Sequence, residues 1–208
     1  MWWRPFEGEY LTTVVAPPGR LERRKAKTRA SIIFAASGLF HERGYEETSI
    51  QQIAEKADTG VGTLYGYFNS KDDILREVLQ TERDEALEKY FASIDERTPY
   101  MDRACLAIAA LASYLKNNRT ILTAAFQVGP RIRVDESQAE WLHTGFREMI
   151  KQGIAAGEFR PLPLDATVRM LVGTTMLAML GIGNWAGEED KPETLRDLDE
   201  LTRCVLGR

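Results

Sequence analysis

Residues 48–71, TSIQQIAEKADTGVGTLYGYFNSK, hold the side chains whose type and spacing suit a definite chemistry, contact with a nucleic acid. Thr63 offers a hydroxyl and a methyl, suited to a phosphate oxygen or a thymine methyl. Tyr67 and Lys71, one helical turn apart, can reach a sugar-phosphate backbone. Gly60, Gly62 and Gly66 stand among them. Glycine inside a helix costs about 1 kcal/mol relative to alanine. A chain bears that cost more readily where something must approach its backbone closely, and the major groove of a duplex is such a surface. The plainer alternative is a buried three-helix core with incidental glycines.

Catalysis is not offered in the same way. His41 and His143 are isolated: His41 reads as a solvated residue at a helix end, and His143, two residues after Trp141, as a surface or core residue with cavity lining as the alternative. No Gly-x-Ser-x-Gly, HExxH, P-loop or dinucleotide fingerprint occurs. The carboxylates are scattered as solvated helix faces. Cys105 and Cys204 lie far apart without a CxxC context, which argues against a disulfide framework or zinc site. The expectation is therefore no enzyme, no metal, no cofactor, and reduced thiols in a cytoplasm.

The elements that must position the first set are short. Thr48 is expected to cap one helix, with Gln51 completing a capping box. Ile50, Ile53, Ala54 and Ala57 give that helix one apolar stripe. Asp58, Thr59 and Gly60 break the pattern, and a second helix is expected over residues 61–68. Leu64 and Phe68, with Val61 near them, form its anchoring side; Gly62, Thr63, Gly66 and Tyr67 lie opposite. Asn69 and Ser70 stop it, and Ser70 with Asp73 caps the helix that follows. Two short helices joined by a glycine-containing turn are the layout of a DNA-reading helix-turn-helix.

The run ADTGVGTLYGYF at residues 57–68, followed by Ser70 and Lys71, resembles the DNA-binding signature of the tetracycline-repressor (TetR) family. That signature reads Ala-Gly-Val-Ser-x-Gly-Thr-Leu-Tyr-x-Tyr/His-Phe and then a Ser-Lys pair. Leu39-Phe40, Gly44-Tyr45, Thr48-Ser49 and Ile53-Ala54 also match in order, so the likeness covers residues 24–75 and says little of the rest. Asp58 stands for the turn glycine, Thr59 for an apolar residue and Gly60 for the Ser cap. Asp tolerates left-handed turn geometry, and Gly is an acceptable cap. The resemblance implies an all-α fold, with a three-helix DNA-binding domain followed by a helical ligand-binding and dimerisation domain. It implies a DNA face of Thr48, Thr59, Gly60, Val61, Gly62, Thr63, Tyr65, Gly66, Tyr67 and Lys71. Arg24 and Lys27 join it from a basic segment expected to touch phosphates.

Charge agrees with this division. The net charge is −4, yet residues 20–71 hold nine Lys/Arg against six Asp/Glu, while residues 72–208 hold seventeen against twenty-three. A basic DNA-binding end on an acidic body is the footprint of a regulator. Residues 1–20 contain Glu7, Glu9 and prolines without an unbroken apolar core, unlike a secretory signal. They are expected to be a flexible arm. Residues 21–70 form the reading head, beginning with a helix over residues 21–42 that Gly44 terminates. A long connecting helix over residues 71–94 links it to the remainder, with the boundary near Pro99 and a second domain over residues 99–208.

In that second domain helices are expected over residues 101–117 and 118–128, from Asp135 or Ser137 to Gly157, from Asp165 to Trp185, and from Pro192 onward. Residues 170–187 lack charge, but Gly, Thr and Asn interruptions favour a buried contact helix over a membrane span. Gly173, Thr174, Ala178 and Gly181 would admit a partner helix closely. Leu195, Leu198, Leu201 and Val205 give the last helix its stripe, and the resembled family implies a four-helix homodimer interface from these two helices. Effector contacts are expected from Phe126, Trp141, Phe146, Met149, Met176 and Trp185, with Tyr114, Gln127, His143 or Asn184 as polar partners. Scarce charge on these stretches suggests an apolar or aromatic effector. The chain is thus expected to be a ligand-responsive repressor on a palindromic operator. The alternative is a small-molecule-binding helical protein without a specific operator.

Overall fold

The computed structural model describes residues 19–128, 136–181 and 192–207, leaving aside the side chains of 124–128, 136–141 and 192–193. Every regular element among the described residues is an α-helix, as the all-α expectation requires: α1 (Arg20–Arg43), α2 (Ile50–Lys56), α3 (Val61–Tyr65), α4 (Lys71–Ala92), α5 (Tyr100–Asn117), α6 (Arg119–Val128), α7 (Glu136–Ala155), α8 (Leu164–Leu180) and α9 (Pro192–Leu206).

Helix α1 buries Ile32, Ala35, Ala36, Leu39 and Phe40, and Gly44 ends it with φ 85°, donating its amide to the Phe40 carbonyl. Only glycine adopts that conformation without strain. Helix α2 starts one residue later than expected. Its cap is Ser49, whose hydroxyl accepts from the Gln52 amide at 3.2 Å while Gln52 Oε1 accepts from the Ser49 amide at 2.8 Å. Thr48 is instead buried, and its hydroxyl donates to the Gly44 and Leu39 carbonyls at 2.8 and 3.3 Å.

Asp58 takes the left-handed conformation, φ 51°, so the turn survives without its glycine. Helix α3 is shorter than the span expected. Past Tyr65 the chain tightens into three-residue turns, with Gly66 donating to Thr63 and Tyr67 to Leu64, both at 2.9 Å. Ser70 caps α4 as its sequence indicates, accepting from the Asp73 amide at 3.1 Å.

Helix α4 buries Ile74, Leu75, Val78 and Leu79 and runs against both α1 and α5. Helix α5 is central to the second half of the chain, packing on α4, α7, α8 and α9. Between α4 and α5, the Asp95 carboxylate accepts from the Arg97 and Thr98 amides, and the Thr98 hydroxyl holds its pKa below the usual range. Helix α8 begins after Pro163, which has no side-chain acceptor to cap it; Asp165, expected as the cap, lies inside the first turn and accepts from Arg147 at 2.9 Å. It closes at Leu180, short of Trp185, with Gly181 in the left-handed conformation, φ 64°, bonded back to Leu177. A hydrophobic core runs without a break from Ile32 to Leu206.

One packing contact fixes the turn after α7. The Phe159 ring lies directly over the bare Cα of Gly153, where a Cβ would overlap ring carbons. Phe159 is 2% exposed, so it has no room to retreat. Gly153→Ala is therefore expected to cost about 1–3 kcal/mol through overpacking, despite alanine's better helix propensity. A urea midpoint equal to that of the parent chain would contradict this contact.

Candidate nucleic-acid interface

The reading head presents one short, exposed helix. Leu64 (0% exposed) and Phe68 anchor α3 and the turn after it, while Val61 (38%), Gly62, Thr63, Tyr65 (53%) and Gly66 face solvent. Val61 is thus on the open side, contrary to its placement with the anchors, because α3 begins at that residue and its first turn projects beyond the core. Tyr65 joins the same face, whereas Tyr67 is half-buried against the core. A Cβ at Gly62 would meet nothing within 4 Å, so a groove wall can approach the backbone there. At Gly66 a Cβ would lie 3.0 Å from the Thr63 carbonyl, a tight fit that favours glycine. Gly60 caps α3 in extended conformation, and Thr59 is half-buried with its amide bonded to the Ala54 carbonyl.

Two expected DNA contacts are turned inward. Thr48 is spent on backbone carbonyls, as described. Lys71 donates to the carbonyls of Tyr45 at 2.8 Å and Thr48 at 3.0 Å, with its ammonium 4.1 Å from the centre of the Tyr45 ring. The Tyr45 hydroxyl in turn donates to Asp72, and burial with this bond pushes its pKa up. The reason is geometric: residues 45–48 return beside the start of α4, where the carbonyls of Tyr45 and Thr48 attract the nearest cation. Arg24 and Lys27 are exposed on the first turns of α1. Arg29, the last residue of the same basic segment, is instead held by Glu77 and lies over the Phe68 ring at 5.2 Å.

The described effector candidates lie in different surroundings. Phe146 and Met149 are buried in the core, and half-buried Met176 packs against it. His143 lies 3.9 Å from Asp165 at the surface. The side chains of Phe126, Gln127 and Trp141, and all of Asn184 and Trp185, lie outside the described residues. Tyr114 alone of the described candidates lines a cavity of about 820 Å³, formed between α1, α4 and α5. Burial raises its pKa to about 12, and its hydroxyl donates to the Leu79 carbonyl.

Of the expected dimer residues, Leu198 is buried in its own chain and Val205 packs on the same core, because the inward face of α9 covers α5. Gly181 serves as the cap of α8 rather than as a helix-contact glycine. Gly173, Thr174 and Ala178 remain partly open, and Leu195 and Leu201 are exposed. Met170 and Leu177, which the sequence reading did not select, are exposed at one-turn spacings from Gly173 and Thr174.

A compact head with a capped α2, a tight turn and an open α3 defines a helix-turn-helix DNA-binding protein. Residues 32–78 match the model of the bacterial regulatory proteins of the tetR family, which identifies the reading head as a DNA-binding domain of that kind. The chain is 34% identical over 127 residues to the HTH-type transcriptional regulator HbdR of Aromatoleum sp. (strain CIB), covering 61% of this chain and 54% of that one. The match therefore spans about half of HbdR. It is 25% identical over 162 residues to the HTH-type transcriptional repressor KstR2 of Mycolicibacterium smegmatis, covering 74% of this chain and 78% of the repressor. In fold it is similar to the transcriptional regulator FadR of Bacillus subtilis, solved in complex with stearoyl-CoA. That likeness has a TM-score of 0.65 and 23% identity, over 83% of this chain and 96% of FadR. These relatives are regulators rather than enzymes. No helix among the described residues is long and apolar enough to cross a membrane.

The inward Lys71 predicts an outcome of its own. Lys71→Ala removes two hydrogen bonds from a charged donor, a loss of about 1–3 kcal/mol, and is expected to lower the thermal midpoint by several degrees. The slope of log K against log salt for DNA binding should stay at its parent value; a slope shallower by about 0.9 would place the ammonium on a phosphate.

Proposed function

We propose that this chain is a ligand-responsive repressor that acts as a homodimer on a near-palindromic operator. The observation that carries the reading is the open face of α3, where Gly62 leaves backbone free for a groove wall. Thr63 and Tyr65 follow Gly62 on the open side and Gly66 comes next, a set suited to phosphate and thymine-methyl contacts. Arg24 and Lys27, exposed at the start of α1, suit the flanking phosphates. KstR2 is named a repressor, which supports the sign of the regulation. The left-handed Asp58 supports an operator-binding head over the alternative without an operator, since the unusual turn sequence leaves the turn intact.

Pairing follows from the geometry of DNA. Two half-sites stand about 34 Å apart, one helical turn, so one reading helix needs a twin. The outward stripe of α8, Met170, Gly173, Thr174 and Leu177, with Leu195 and Leu201 of α9, is the surface suited to that twin. Gly173 has open space around its Cα, which fits close approach of a partner helix. Responsiveness to an apolar or aromatic small molecule is supported by the stearoyl-CoA held by FadR. A ligand that favours one spacing of the two heads must discriminate between conformers by several kcal/mol to release the operator.

Two variants test the reading. Gly62→Leu places a side chain where the monomer has room, so the thermal midpoint should hold or rise while operator binding weakens at least tenfold in a gel shift. Unaltered binding would remove α3 from the groove. Leu177→Glu should convert the dimer to a monomer in light scattering behind a sizing column, and a persistent dimer would move the interface elsewhere.

A further inference from the structure

We propose that the groove between α1, α4 and α5 is a binding site for an amphipathic organic cation. The cavity there has a volume of about 820 Å³, enough for a multi-ring molecule. Its apolar wall includes Phe34, which is 81% exposed although it sits on a helix whose other face is core. Ile33 lies beside it on α1, and Leu106, itself 37% exposed, faces them from α5. A large apolar patch of this kind, rimmed by polar groups, marks a surface that something covers.

The polar groups in the same groove decide the charge of that occupant. Three carboxylates, Glu77, Glu82 and Glu85, line it against two cations, Arg29 and Lys89. Arg29 is bound to Glu77, so that pair is internally satisfied. Glu82 Oε1 accepts from the Ser37 hydroxyl at 2.7 Å and lies 3.1 Å from His41 Nε2, which also lies 3.3 Å from Oε2, and the carboxylate has lone pairs beyond these contacts. Asn118 supplies the independent observation. It lines the cavity, is 1% exposed, and its Oδ1 has no hydrogen-bond partner. Its Nδ2 donates to the Tyr114 carbonyl at 3.0 Å, which fixes the amide orientation and leaves an acceptor, not a donor, unpaired. A buried acceptor without a donor is unfavourable until a ligand N–H supplies one. Tyr90 and Tyr114 add aromatic rings, to which cations are attracted. The groove thus offers acceptors and net negative charge around an apolar wall. An ammonium or amidinium on an aromatic body satisfies all of them, whereas a carboxylate would face Glu82 and Glu85 directly.

The site touches the reading head through α1 and the second half of the chain through α5, with α4 between them. A role as effector rests on the repressor reading; binding does not. The test uses the full chain without DNA and three fluorescent probes with one ring system, 1-pyrenemethylamine, 1-pyrenemethanol and 1-pyrenecarboxylate. The amine is expected to bind at least tenfold tighter than the alcohol, and the carboxylate weakest. Glu82→Gln should reduce the amine's advantage to threefold or less, and Phe34→Ser should weaken amine and alcohol alike. Equal binding of amine and alcohol, no binding by any probe, or parent-like amine binding by both variants would overturn the site. In a separate gel shift, release of operator DNA by the amine supports the effector role; binding without release leaves the site standing and counts against that role.

Discussion

A single ammonium ties the molecule together. Lys71 is the first residue of α4, and it reaches back to the carbonyls of Tyr45 and Thr48 in the turn between α1 and α2. The Tyr45 ring lies beneath it, and the Tyr45 hydroxyl returns to Asp72 on the next residue of α4. The two hydrogen bonds from this half-buried charged donor together contribute about 1–3 kcal/mol. The partial burial here limits competition from water. The start of the long helix is thereby fastened to the loop that sets the angle of α2, and through α2 to α3.

Farther along, the same helix is laced to α1. Arg29 grips Glu77, and Ser37 and His41 both meet Glu82, one turn and a half beyond. Beneath these polar contacts Ile74, Leu75 and Val78 are fully buried in a core shared with α1. A close-packed core of this kind moves as a block rather than deforming. Any displacement of α4 at its far end, where Tyr90 touches Met149 of α7, would therefore be felt at α3 as a change of position rather than a local unfolding. That is the mechanical basis for coupling ligand and operator in the function proposed above.

What the sequence showed was local. Ser70, Gly44 and Asp58 act within four residues of themselves, and each does what its chemistry indicates. Leu64 and Phe68 are anchors because helical spacing alone puts them on one side. The misassigned residues answer to neighbours distant in sequence. Thr48 loses the cap to Ser49 because its hydroxyl is claimed by Leu39 and Gly44. Lys71 is claimed by carbonyls 23 and 26 residues away, which no local pattern reveals. Leu198 and Leu201 share a stripe in sequence, yet one is buried on α5 and the other is open. Phe146 and Met149 are large and apolar, and those properties suit core packing as well as ligand contact, so sequence alone does not separate the two. The groove at Phe34 was illegible because three helices build it and the sequence shows only that one phenylalanine follows two isoleucines.

The central claim is that α3, held rigidly by α4 and doubled by a twofold axis, reads DNA in the major groove. Footprinting on the DNA that precedes the chain's own gene tests this most directly. The account predicts two protected patches related by an inverted repeat, with centres one helical turn or a whole multiple of it apart. Uniform, sequence-blind protection, or a single patch without a symmetric mate, would contradict it.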